Sequence, residues 1–369
     1  MTDNHTETLR ESSSESPNTS AIVPDTRVSI KLDDSQSGQP QSADYTQEIR
    51  FAVVMYGGVS LAVYINGVSQ ELLRMVRATA QVKADGNGAT GLAPIKADKL
   101  TGSERVYRKV SYLLSDSGMS VAQLDSVLNK NRQLQTRFVI DILSGTSAGG
   151  INGVFLAKAL ANGQSLDKLQ ELWIEQGDID TLLNDKRSIE PPLTLSKSPA
   201  SLLNSNRMYL ELLKAFNGME ENGSGAKSQR RTGYVDEIDL YVTATDLQGV
   251  ALPMRLSNEL VYERRHRNVL HFIYSESDVS GEQEDRNDFL REYNPFLAYA
   301  SRCTSAFPFA FEPMCLCDTD HVIEGLPEYR NVENCKSNSK LWQPFYKDYL
   351  DPRGVSTVPF PQRAFGDGG

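Results

Sequence analysis

The chain has 369 residues, 39% of them hydrophobic, and a formal net charge of −10. That length can bury a large core and suits one big α/β domain or two modest ones. The acidic balance argues against general nucleic-acid binding, which needs basic surface to displace counterions, and against electrostatic docking on anionic membranes except through a local basic patch. No apolar run approaches the length needed to cross a bilayer. Asp3, Glu7, Glu11 and Glu15 do not fit a secretory leader. Cys303, Cys315, Cys317 and Cys335 do not resemble a disulfide scaffold. A cytoplasmic location is expected, with peripheral contact at a membrane left open.

Residues 1–47 are rich in Ser, Thr, Gln, Asn and Asp and bury too little to order themselves, so a disordered tail is expected there. Within it, residues 28–32 alternate like a short strand. Residues 49–55 form a nearly continuous apolar run, the pattern of a parallel strand covered on both faces. Tyr56-Gly57-Gly58 follows, and then Leu61, Ile65, Val68, Leu72 and Val76 recur at helical spacing. Residues 81–101 read as a loop, with helices over 103–114 and 120–134.

Residues 138–150 then read as an apolar strand, Gly145-Thr146-Ser147-Ala148-Gly149, and an apolar helix ended by Asn162-Gly163. Leu166, Leu169 and Trp173 predict an amphipathic helix opened by Ser165. Residues 184–205 read as irregular connection and 217–233 as an exposed loop. Strands are expected at 240–246 and 269–274, an acidic loop at 275–288, and a helix over 295–306 stopped by Phe307-Pro308. The alternation of strands and helices indicates an α/β fold with a mainly parallel sheet.

A sharp strand-to-helix turn is what a serine nucleophile needs, because it lifts the hydroxyl clear of the backbone while Gly145 and Gly149 remove clashing Cβ atoms. Ser147 is the candidate nucleophile. The Ala148 N–H opens a helix whose positive end favours a developing oxyanion. The loop Tyr56-Gly57-Gly58-Val59 is the candidate second donor. Asp367, bracketed by Gly366, Gly368 and Gly369, is a candidate base. The later histidines, His266, His271 and His321, lack flanking glycines of that kind.

Together these pieces resemble the patatin-like phospholipase family, nearest to a bacterial patatin-related subgroup. Four ordered parts carry the resemblance: Gly57-Gly58, the Ser147 pentapeptide, residues 300–308 (Ala-Ser-Arg-Cys-Thr-Ser-Ala-Phe-Pro), and Asp367-Gly368-Gly369. Thr243-Ala244-Thr245-Asp246 is also similar to that family's central strand. The resemblance implies a three-layer sandwich with a mainly parallel central sheet, a modified relative of the α/β-hydrolases. It implies hydrolysis of acyl esters in phospholipids or related lipids by a Ser–Asp dyad, Ser147 as nucleophile and Asp367 as base, with no cofactor. Gly57, Gly58, Val59 and Ala148 would then surround the oxyanion.

The glycine loop departs from the family pattern: Tyr56 stands in place of the first of three glycines, Val59 follows the pair, and no Arg or Lys stands between the loop and Arg74. A catalytically silent patatin-like module that binds lipid or protein is the alternative reading, and an esterase using His271 or His321 a third. Enzymes rarely stop two residues after their base, so residues 48–369 are read as an acyl hydrolase domain truncated at its C-terminal end. Ile-Asn-Gly-Val occurs at 65–68 and 151–154, as if Gly67 and Gly153 let two helices pack closely. Cys315, Cys317, His321 and Cys335 lack a usual zinc spacing, and no metal is expected. Arg230-Arg231 and residues 264–267 (Arg-Arg-His-Arg) are basic clusters, the second read as a solvated turn.

Overall fold

The computed structural model describes residues 47–369 except 59, 84–91, 116–118, 130–133, 177–178, 195–199, 222–232, 277–284, 331, 333 and 351–357. The expected tail, its strand at 28–32, Arg230-Arg231 and Val59 lie outside the described residues. In chain order the elements are β1 (Gln47–Met55), α1 (Leu61–Thr79), β2 (Gln81–Lys83), β3 (Leu92–Pro94), α2 (Ser103–Ser115), α3 (Val121–Asn129), β4 (Thr136–Gly145) and α4 (Ala148–Asn162). There follow α5 (Asp167–Glu171), α6 (Ile179–Leu182), α7 (Ser205–Glu221), β5 (Glu237–Arg255), β6 (Leu260–Ser275), β7 (Arg286–Asn287), α8 (Asn294–Thr304), α9 (Asp320–Gly325) and β8 (Phe365–Gly366). Strands β2 and β3 make a separate small hairpin.

The main sheet runs β1-β4-β5-β6-β7, with β8 also on β5. Strands β1, β4 and β5 are parallel, and the remaining pairings are antiparallel. Flanked by helices, this mixed sheet with a parallel centre is the expected α/β sandwich. Helix α4 occupies the middle of the core, packed on α1, α8, β4 and β5, and it is buried continuously from Ala148 to Ala161. Its apolar character on every side follows from that position. Phe155 and Leu156 lose all exposure, which stabilises the fold by about 1.5–3 kcal/mol each. Phe155 stacks on Phe216 of α7 at 3.9 Å. Gly163 ends α4 in the left-handed conformation (φ 61°, ψ 38°), as its sequence predicts.

Several expectations change. Strand β1 is an edge strand with alternating burial, so Arg50, Ala52 and Val54 face solvent although the run reads as covered on both sides. Residues 81–101 contain β2, β3 and a short 3-10 turn, and α3 ends at Asn129. Helix α7 covers Ser205–Glu221, filling residues 206–216 to which the sequence assigns no element and running into the expected loop at 217–221. Its N-terminus is set by Asn204, whose Oδ1 accepts from the Arg207 N–H at 3.0 Å. Residues 264–267 lie inside β6 rather than in a turn, because β5 and β6 run far past their apolar cores. Gly67 faces open space, and a Cβ on Gly153 would touch Met55 and Leu240 of the sheet at 3.4 and 3.5 Å. Close helix packing therefore does not explain the repeated tetrapeptide. Instead Asn152 joins α4 to α1, its Nδ2 donating to Ala62 O at 3.2 Å.

Candidate active site

Strand β4 delivers Ser147 at the end of the parallel run, where Gly145 pairs with Val242 of β5. Ser147 has φ 53° and ψ −127°, a conformation that side chains rarely adopt and that costs about 1–3 kcal/mol. Neighbouring glycines make the turn possible. A Cβ on Gly145 would lie 2.5 Å from Gly149 O, and one on Gly149 would lie 2.2 Å from Met55 O. The turn is tied to β1 by the Thr146 N–H, which donates to Met55 O at 3.2 Å.

The glycine loop after β1 lies directly against the serine. A Cβ on Gly57 would be 2.3 Å from Ser147 Cβ and 3.1 Å from its Oγ. Gly58, at φ 151°, lets the chain turn into α1, and its carbonyl accepts from the Leu61 N–H at 3.0 Å. The N–H groups of Gly57, Gly58 and Ala148 have no hydrogen-bond partner among the described residues. A helix start leaves such donors free for an anion.

Asp367 reaches the same place through the sheet. Thr245 of β5 pairs with Arg267 of β6 on one side and with Gly366 of β8 on the other. So β8 occupies the lane beside β5 that β4 leaves when it turns off at Gly145. Running antiparallel to β5, the chain then brings Asp367 and Gly368 back toward the end of β4. The Thr245 hydroxyl donates to Asp367 O at 2.7 Å and the Thr243 hydroxyl to Gly368 O at 3.1 Å. Gly368 has to be glycine, because a Cβ would lie 2.1 Å from Thr243 O.

The C-terminal end of α8 joins both halves. Thr304 Oγ1 accepts from the Ser147 N–H at 2.8 Å, and Thr304 O accepts from the Gly368 N–H at 3.2 Å. The Asp367 N–H donates to Ala306 O at 3.1 Å. Asp367 Oδ1 accepts from the Gly369 N–H at 2.8 Å, while Oδ2 is buried and has no partner. A buried carboxylate oxygen without a protein partner is left able to accept a further hydrogen bond. No hydrogen bond joins the Ser147 hydroxyl to Asp367 among the described residues. Beneath them Arg302 is fully buried, and burial draws its guanidinium down to about 10 against the opposing pull of Cys303, Glu312 and Asp367.

Upstream, Arg363 fixes the terminal segment to β5. Its Nη2 donates to Asp246 Oδ2 and to Gly249 O, both at 2.7 Å, and the ion pair is almost wholly buried. Thr304 and Arg363 hold these segments together and Arg302 packs beside them; sequence reasoning gave none of the three a role, although Thr304 and Arg302 lie in the segment 300–308 that it singled out.

His271 and His266 are engaged elsewhere. His271 Nε2 meets Asp239 Oδ1 at 2.5 Å and its ring stacks on Tyr241, while His266 Nδ1 meets Asp246 O at 2.8 Å. No histidine among the described residues bonds to Ser147. The donor atoms of Cys315, Cys317 and Asp318 lie within 4.8 Å of one another, without His321 or Cys335. Burial pushes the Cys315 thiol up to about 12.

The fold thus brings together a strand–Ser147–helix elbow, free backbone donors beside it and a carboxylate carried in by an added strand. The sequence model of the patatin-like phospholipase family matches residues 124–322, more than half of the chain, and the chain belongs to that family. The matched span includes Ser147 and α8, whereas Gly57, Gly58 and Asp367 are gathered there by the fold. A curated relative, the uncharacterized membrane protein Rv3479 of Mycobacterium tuberculosis, is 30% identical over 272 residues, covering 73% of this chain. The chain spans 21% of that relative's length. No solved structure matches the chain. No helix among the described residues is long and apolar enough to cross a membrane.

Proposed function

We propose that the chain is a serine lipid acyl hydrolase of the phospholipase A or lysophospholipase kind, with Ser147 as nucleophile and Asp367 as its base. The observation that carries this reading is Thr304, which binds the Ser147 N–H on one side and the Asp367 loop on the other, with Asp367 Oδ2 left unpartnered. Substrate binding turns the Ser147 hydroxyl onto Oδ2; catalytic hydrogen bonds are often long in empty sites and tighten in the complex. Ser147 Oγ attacks the ester carbonyl as Asp367 takes its proton, and the oxyanion is held by the N–H groups of Gly57, Gly58 and Ala148. Collapse expels the alcohol, which receives the proton from Asp367. Water, deprotonated by Asp367, then releases the fatty acid from the acyl-enzyme.

Exposed aromatic side chains at the rim support a lipid substrate. Tyr56, just before Gly57, is 75% exposed, and Phe309, three residues past the Ala306 carbonyl that holds Asp367, is 92% exposed. Such apolar surface suits acyl chains. The proposed domain is 48–369, cytoplasmic, with peripheral membrane contact. The test is release of fatty acid from phosphatidylcholine. Wild type is expected to turn over, and Ser147→Ala and Asp367→Asn to lose activity by at least about 10³-fold. The missing Ser147–Asp367 hydrogen bond favours the second reading, a silent lipid- or protein-binding module. Folded wild type without turnover on any acyl ester selects it.

A further inference from the structure

Beyond the site, strands β5 and β6 leave the sheet as a two-stranded arm. After the register shift at Thr245/Val250, pairing resumes from Val250↔Arg265 to Arg255↔Leu260, and the Leu256 N–H closes the turn on Glu259 O at 2.8 Å. The arm is about 20 Å long at the usual rise per residue. Because β5 is parallel to β4, the arm leaves by the edge of the sheet where Ser147 stands.

Its composition opposes that of the body. Met254, Leu256, Leu260 and Tyr262 near the tip are 44–57% exposed. They occupy both faces: Met254 shares one with Val261, while Tyr262 and Leu260 share the other with Pro253 and Arg255. A hairpin that docks on a protein through one face alternates apolar with polar, whereas apolar residues on both faces suit immersion. Three arginines of the arm, Arg255, Arg264 and Arg265, stand beside or behind the tip, with Arg267 in the sheet just below them, and no ion pair among the described residues engages them. Only Glu259 and Glu263 offset them, in a chain of net charge −10. Arg264 and Arg265 stand at the base of the arm, opposite Ala251 and Val250, so they lie at headgroup level when the apolar tip enters a bilayer surface.

We propose that this arm docks the protein on anionic lipid surfaces, its apolar tip entering the interface and its arginines meeting the headgroups. Docking goes beyond the catalytic reading and is independent of it, so Ser147→Ala is expected to bind as wild type does.

Vesicle flotation of the full chain tests it, with phosphatidylcholine alone and with phosphatidylserine added. Binding is expected only to the anionic vesicles and to weaken with salt. Arg264→Glu combined with Arg265→Glu is expected to lower partitioning by roughly 30-fold or more, at about tenfold per 1.4 kcal/mol. Met254→Ser with Tyr262→Ser, which keeps the charges, is expected to lower it as well, while melting temperatures stay near wild type. Equal binding to both vesicle types, or binding indifferent to both variants, overturns the proposal. So does an arm-dependent change from dimer to monomer in light scattering without loss of vesicle binding, which would assign the arm to a second copy of this chain.

Discussion

Ser147 is held at a positive φ by neighbours that leave it no alternative, so stability is sacrificed at the residue that carries the hydroxyl. Removing the Cβ should recover part of that cost. Ser147→Gly is expected to be more stable than Ser147→Ala by about 1 kcal/mol, after allowing for the extra chain entropy of glycine, and equally inactive. Chemical denaturation of the two variants measures the difference. Equal stability would show that the turn is unstrained. Ser147, Gly145, Gly149 and Gly57 were legible because each answers to a local rule of spacing or conformation. Thr304 was not, because its part is one hydrogen bond to a residue 157 positions away. Nothing in the local pattern around a helical threonine announces such a bond.

At the scale of elements, β8 and its anchor carry the argument. Two residues of strand fill the lane beside β5 and place Asp367 beyond the end of β4, and Arg363 locks that segment to Asp246. Removing one partner of a buried ion pair strands the other charge. Arg363→Met is therefore expected to destabilise the chain by about 3–5 kcal/mol, and adding Asp246→Leu should restore much of it. Thermal melts of the single and double variants decide this; additive losses would mean that the pair is not coupled. The parallel strands and α4 were readable from apolar runs and the Asn162-Gly163 stop. Helix α7 was hidden because Pro and Ser before it and a glycine-rich stretch after it dominate the local composition. The reach of β5 and β6 was hidden because arginines, glutamates and a proline look like a turn unless cross-strand pairing is known. Arg264 and Arg265 are strand residues only because Ala251 and Val250 stand opposite.

Over the whole molecule, the α/β class and the family follow from the order of four short motifs. Charge averaged over the chain conceals its distribution, because unpaired arginines gather at the base of the arm in a chain that is acidic as a whole. That distinction belongs to the three-dimensional arrangement. The central claim is that Ser147 is an activated nucleophile, and the most direct measurement is covalent labelling by a fluorophosphonate followed by peptide mapping. One adduct per chain on Ser147, lost in Ser147→Ala and strongly slowed in Asp367→Asn, is the predicted result. A folded wild-type protein that stays unlabelled, or an adduct mapped to another residue, would contradict the account.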